Sequence, residues 1–235
     1  MKVLVMGGAG KVGTALMNAL KNAHDVQIVE VNSKPEVQKF DILHVAIPWQ
    51  GDFVSKVNAV VKEFKVGLVI NHSTVPPGTT KAIGPDAVHS PILGQHDDLE
   101  NELFRFTKWV GASSEKIGRL AVSHLAMSGI DARMMGTPND TETLKLLCLF
   151  RYMNDLAFYE TAGTVLDSLK VNRNLLNVWT SAYNDGYKGT KFSRALLSFP
   201  NGKIGGSCVA QNSKLLYTLT NNEWIKKALE LFRLI

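Results

Sequence analysis

Val3-Leu4-Val5-Met6-Gly7-Gly8-Ala9-Gly10-Lys11-Val12-Gly13 is the stretch on which the fold turns. An unbroken apolar run this short reads as a strand buried on both faces, the kind found in parallel sheets. It feeds a glycine-rich turn, and the turn opens a helix expected over Val12–Ala23. Strand, glycine turn and helix in that order are the context in which the glycine spacing carries meaning. Gly8 is expected to permit the tight turn. Gly10 lets backbone amides, with Lys11 and Val12 beside them, approach a diphosphate, and Gly13 lets helix and strand pack closely. The helix amino end adds partial positive charge for the phosphates.

Seventeen residues beyond Gly13, at the end of the next apolar run, stands Glu30. A carboxylate there accepts hydrogen bonds from ribose hydroxyls and repels a 2′-phosphate, which favours NAD over NADP. The expectation is an α/β protein: a Rossmann-type doubly wound parallel sheet, followed by a smaller all-helical domain with a long central helix.

Outward from the turn the pattern continues. Val26–Val31, Ile42–Ile47, Val66–Ile70, Ala87–His89 and Lys108–Val110 read as further strands, with Asp131–Met135 as one more. Helices are expected over Asp52–Glu63 and Ser114–Ser128. Only a short polar segment separates Glu30 from Asp41, so the second βαβ unit is expected to be trimmed. At Gly136-Thr137-Pro138-Asn139-Asp140 the character changes, and Thr141 to about Leu169 reads as one long helix. Asn174–Tyr187, Cys208–Leu219 and Glu223–Phe232 read as later helices. These boundaries give a dinucleotide-binding domain over 1–137 and a helical substrate and dimerisation domain over 138–235.

Composition narrows the class. The 235 residues are 45% hydrophobic and 20% charged, which is ordinary globular composition. No apolar run approaches the roughly 18–20 residues that span a bilayer. The start carries no signal-peptide pattern, so a cytoplasmic protein with no membrane partner is expected. The two cysteines, Cys148 and Cys208, are expected as free thiols, with Cys148 in the core. The six histidines lack metal-ligand spacing, and no metal is expected. Residues 1–150 carry 15 basic and 15 acidic residues, whereas the rest carries 11 and 6. That excess suits a small anionic ligand or a merely solvated surface; no basic stripe suggests nucleic acid.

Four segments resemble the UDP-glucose/GDP-mannose dehydrogenase family. They are Asp41-Ile42-Leu43-His44-Val45-Ala46-Ile47-Pro48, Ser73-Thr74-Val75-Pro76-Pro77-Gly78-Thr79-Thr80, Glu142-Thr143-Leu144-Lys145 and Gly205-Gly206-Ser207-Cys208. The resemblance implies an NAD-dependent oxidoreductase acting on a sugar-nucleotide or phosphorylated alcohol. Ala46, Ile47, Pro48, Ser73 and Thr74 would then border the cofactor. Cys208 would be the nucleophile, starting a helix where the dipole lowers a thiol pKa, and Lys145 would stabilise the oxyanion. Thr79 would border the reactive centre, although it also reads as a helix N-cap. The resemblance further implies a homodimer through the long helix.

The pattern also breaks. Gln211 and Asn212 stand where the family has a lysine-aspartate pair, and asparagine is no general base. Leu149 replaces an asparagine, and His89-Ser90-Pro91-Ile92-Leu93-Gly94 lacks the family's carboxylate. The resemblance also implies a third, nucleotide-sugar-binding domain after the Cys208 helix, which is not expected within these 235 residues. An NAD-binding regulatory or assembly subunit without catalysis is the alternative. His89-Ser90-Pro91 also resembles the prephenate dehydrogenases, whose histidine-proline segment lies at a similar strand end. His89 could polarise a hydroxyl or be a satisfied interior residue.

Overall fold

The computed structural model describes every residue except 31, 32, 34, 37, 38, 95–97 and 203–206, and of residue 207 the backbone alone. The chain divides into two compact units, Met1–Lys145 and Leu146–Ile235.

The first unit is built on strands β1 (Lys2–Met6), β2 (Asp25–Val29), β3 (Ile42–Val45), β4 (Leu68–Asn71), β5 (Ala87–His89), β6 (Lys108–Ala112) and β7 (Ala132–Met134). They form one sheet in the order β2-β1-β3-β4-β5-β6-β7. Its helices are α1 (Lys11–Leu20), α2 (Phe53–Glu63), α3 (Thr79–Ile83), α4 (Leu99–Arg105), α5 (Glu115–Met127) and the start of α6 (Pro138–Ser168). Successive side chains of β1 point to opposite faces, and both faces are covered. Val3 packs with Ile42, Ile70 and Val110 under α1, α4 and α5. Leu4 packs with Leu43, Val45 and Val69 under Phe53 and Val57 of α2. Val3, Leu4 and Val5 are all fully buried, which is why the run is uniformly apolar. This is the doubly wound architecture.

Three features differ from expectation. β5 and β6 pair antiparallel, Val88 opposite Ala112. Among the described residues their connection holds the short α4, which does not carry the chain back to the start of the sheet as a parallel crossover requires. The short helix α4 was not foreseen, and α3 only as the helix that a capping Thr79 would start. Strand and helix ends move by a few residues, and the expected strand end at Val31 lies outside the described residues. Between β2 and β3 there is no helix among the described residues. Ser114, expected inside the helix, instead caps α5 by accepting from the Ile117 amide.

Parallel neighbours β2 and β3 flank β1 on either side. The chain therefore reverses its winding direction there, and a crevice opens at the carboxyl ends of β1 and β3, where open α/β sheets hold ligands.

The second unit comprises the rest of α6 with α7 (Asn174–Gly186), α8 (Ser207–Thr220) and α9 (Glu223–Leu231). Its core joins Leu146, Met153 and Leu156 of α6 to Val209 and Leu216 of α8 and to Ile225 and Leu229 of α9. Cys148 is exposed rather than buried. It lies two residues from the inward Leu146, which turns it to the far side of the helix. Among the described residues no helix is long and apolar enough to cross a membrane.

Candidate functional site

The glycine turn does its work with a different division of labour than the sequence suggested. Gly7 takes the left-handed conformation, at φ 86°, and turns the chain off β1. A Cβ on Gly7 would lie 2.7 Å from Ala46 O. Gly8 is needed because a Cβ there would collide with the Ile28 side chain. Gly10 caps α1 with extended backbone, and its amide donates to Gly7 O at 3.1 Å. Gly13 lies where α1 crosses the turn, and a Cβ there would collide with Gly7 O. Thr14, which the sequence reading did not single out, locks the turn by donating Oγ1–H to Gly8 O at 3.0 Å. Lys11 is exposed at the first residue of α1, and Val12 is half-buried against the sheet.

Glu30, half-buried, directs Oε1 to the Ala9 amide at 2.8 Å. The carboxylate thus stands at the glycine turn, where it can share its remaining lone pairs with a sugar hydroxyl. Ala46 follows β3 and its amide donates to Met6 O at 2.9 Å. Ile47 O accepts the Ser73 hydroxyl at 2.7 Å, and Pro48 is exposed at the same strand end. Ser73 is buried and Thr74 half-buried. The fold therefore gathers the glycine turn, Glu30, the 46–48 segment and the 73–74 segment at one edge of the sheet.

Behind this edge lies a histidine chain that the scattered sequence positions gave no reason to expect. His72 Nδ1 lies 2.6 Å from Ser90 O. A carbonyl only accepts, so Nδ1 carries the proton and Nε2 is left as an acceptor. His44 Nδ1–H then donates to His72 Nε2 at 2.8 Å, and His124 Nε2–H donates to His44 Nε2 at 2.8 Å. His124 Nδ1, the last nitrogen of the chain, is buried without a partner. Burial, with cationic neighbours, holds His44 and His72 well below the usual histidine range and brings His124 to about 3. Lys108, also buried, donates to Ser90 O at 2.7 Å and Pro91 O at 3.2 Å. Burial and then Lys145 push its amine well below the ordinary lysine value.

His89 is fully buried. Its Nε2 faces Ser73 O at 3.2 Å and its Nδ1 faces Thr141 Oγ1 at 2.8 Å. Burial brings its pKa to about 3, so the ring is neutral and Thr141 donates to Nδ1. This is the satisfied interior reading of His89, with no nitrogen left for a substrate.

The candidate catalytic residues fall in both units. In the first, Thr79 Oγ1 donates back to Pro76 O at 2.7 Å. Gly78, not Thr79, is the N-cap of α3. Lys145 is half-buried and its Nζ donates to Ile92 O at 2.7 Å. In the second, Cys208 is half-buried in the first turn of α8. Asn212 spends its amide on Cys208 O at 2.8 Å. Gly205 and Gly206 lie outside the described residues.

No protein family profile and no curated protein sequence matches the chain. Solved structures do. UDP-D-ManNAc dehydrogenase from Pyrococcus horikoshii matches with a TM-score of 0.82 at 18% identity, over 99% of this chain and 68% of that one. A UDP-glucose dehydrogenase from Pyrobaculum islandicum gives 0.75 at 16% identity, over 99% and 67%. The 3-hydroxyisobutyrate dehydrogenase of Mycobacterium tuberculosis gives 0.72 at 15% identity, over 99% and 92%. At these identities the likeness is one of fold, and it is the fold to which the four short motifs pointed.

Proposed function

We propose that this chain is an NAD-dependent oxidoreductase acting on an alcohol group. The observation that carries the reading is the Glu30 carboxylate bonded to the Ala9 amide, inside a turn where a Cβ at Gly7, Gly8 or Gly13 would collide with its neighbours. The amides after Gly10 would hold the diphosphate, and Glu30 the adenine-side ribose. Ser73, Thr74 and Pro48 would border the nicotinamide end. NAD, when bound, supplies the hydride acceptor. Lys145, oriented by Ile92 O, would stabilise negative charge on the substrate oxygen. Cys208 would attack the carbonyl carbon of the first product through its thiolate, with the proton passing to water.

The substrate class follows from the same residues. A sugar-nucleotide or phosphorylated alcohol suits a nucleophilic Cys208 and an anion-attracting second unit. The 3-hydroxyisobutyrate dehydrogenase, whose length the chain almost fills, adds small 3-hydroxy acids to the compounds worth assaying. The test is NADH absorbance with a panel of both classes. Full turnover in Cys208→Ala would remove the covalent step from the reading while leaving the hydride transfer.

Asn212 favours a second reading. Its amide is committed to a helix carbonyl, and a base for thioester hydrolysis is missing at that position. The alternative is an NAD-binding subunit of regulatory or assembly type. Saturable NAD binding with no NADH from any substrate of the panel would select it.

In either case a second copy of this chain would cover α6. Phe158 and Val165 of α6 are 58% and 48% exposed, and Leu169, one residue past its end, is 67% exposed.

A further inference from the structure

The first turns of α6 send side chains to three different segments at the carboxyl edge of the sheet. Thr141 reaches His89, Lys145 reaches Ile92 O, and Glu142 reaches the loop before α3. Glu142 is the unusual member. It is fully buried, and burial raises its carboxyl above the ordinary range while the Thr80 and Gly78 donors pull the other way. A buried carboxylate is costly unless its oxygens are bonded. Here each oxygen has a backbone donor: Oε2 accepts from Gly78 N at 2.6 Å and Oε1 from Thr80 N at 2.7 Å.

The bonds continue from there. Asn71 Nδ2 donates to Thr80 Oγ1 at 2.9 Å. Asn71 Oδ1 accepts from Ser73 N at 3.0 Å, and the Ser73 hydroxyl reaches Ile47 O. One buried chain of hydrogen bonds therefore runs from α6 through Thr80, Asn71 and Ser73 to the end of β3. It ends on the two segments, 46–48 and 73–74, that the proposed function places at the nicotinamide.

We infer that Glu142 is a positioning residue for the nicotinamide-side wall of the cofactor site. The inference rests on the dinucleotide reading and adds to it. Glutamine at 142 keeps the shape but replaces one acceptor oxygen with an NH2 that faces an N–H. One loop amide then loses its partner, and the loop shifts at its Thr80 end.

The experiment is a pair of titrations, with NAD and with ADP-ribose, which keeps the adenosine and diphosphate but lacks nicotinamide. In Glu142→Gln the NAD affinity is expected to fall about tenfold, while ADP-ribose affinity stays within about twofold. Thr80→Val removes the hydroxyl that joins Asn71 to the carboxylate while keeping the Thr80 amide bond to Glu142, and it is expected to show the same split. It also stands in should Glu142→Gln fail to fold by thermal melting. Equal affinities for both ligands in wild type and variants, or equal loss of both, would overturn the positioning role. ADP-ribose failing to bind the wild-type chain would instead overturn the dinucleotide reading, and the inference with it.

Discussion

The Nε2 atoms of His44 and His124 lie 2.8 Å apart in the buried interior of the first unit. Two acceptor-capable nitrogens at that distance must share a proton, and the Ser90 carbonyl at the other end of the chain decides which ring supplies it. The charged groups nearest these rings are all cationic: Lys108, Lys145 and the amino terminus. A proton added to any of these rings is opposed by those cations.

Acid therefore works against this unit. Above pH 6.5 the rings are neutral in both folded and unfolded chains and contribute nothing to pH dependence. As pH falls through 6.5, the unfolded chain binds protons that the folded one refuses. His44, His72, His89 and His124 then each lower stability until their native pKa is reached, which is about 3 for His89 and His124. Glu142, with its raised pKa, opposes the trend as a single group. Urea unfolding at about pH 7, 6 and 5 is expected to show midpoints dropping steeply below pH 6.5. A flat midpoint over that range would contradict the neutral chain.

Gly13→Ala is expected to destabilise the first unit by about 1–3 kcal/mol or more, because its methyl meets Gly7 O with neither backbone able to yield. Gly51→Ala is the matched control, since a Cβ there meets nothing within 4 Å. Thermal melting of the two variants checks the contrast, and equal midpoints would remove the packing role given to Gly13.

These two expectations differ in how far the sequence foretold them. The glycine turn was legible because strand, turn and helix are local and each residue type has one physical reason to be there. Even so, the left-handed residue proved to be Gly7 rather than Gly8, a difference of one residue that only the path of β3 decides. The helices α3 and α4 are too short to show a periodicity. The antiparallel β5–β6 pair depends on how the intervening connection returns, which composition does not encode. The histidine chain joins positions 28 and 80 residues apart, and nothing in their spacing connects them. Cys148 shows the converse fault: it was expected in the core, whereas Leu146, Met153, Leu156 and Tyr159 are the apolar side chains of α6 that are buried and Cys148 lies off their face.

Glu30→Ala is expected to weaken NAD binding about tenfold and to narrow the preference over NADP. Ala9 is exposed, so water replaces the lost carboxylate at its amide and stability changes little. Parallel titration and melting separate the two effects. An unchanged NAD affinity would remove Glu30 from the cofactor site.

Val165→Asp and Leu169→Asp place charges on the exposed apolar stripe at the carboxyl end of α6. Sedimentation is expected to show a dimer for the wild-type chain and a monomer for the double variant. A monomer in both cases would leave the stripe without the proposed second copy.

Calorimetric titration of the wild-type chain with NAD bears most directly on the whole account. A glycine turn that grips a diphosphate predicts saturable heat with a dissociation constant in about the micromolar range, and a rise in melting temperature at saturating NAD. No heat and an unchanged melting temperature at millimolar NAD would contradict it.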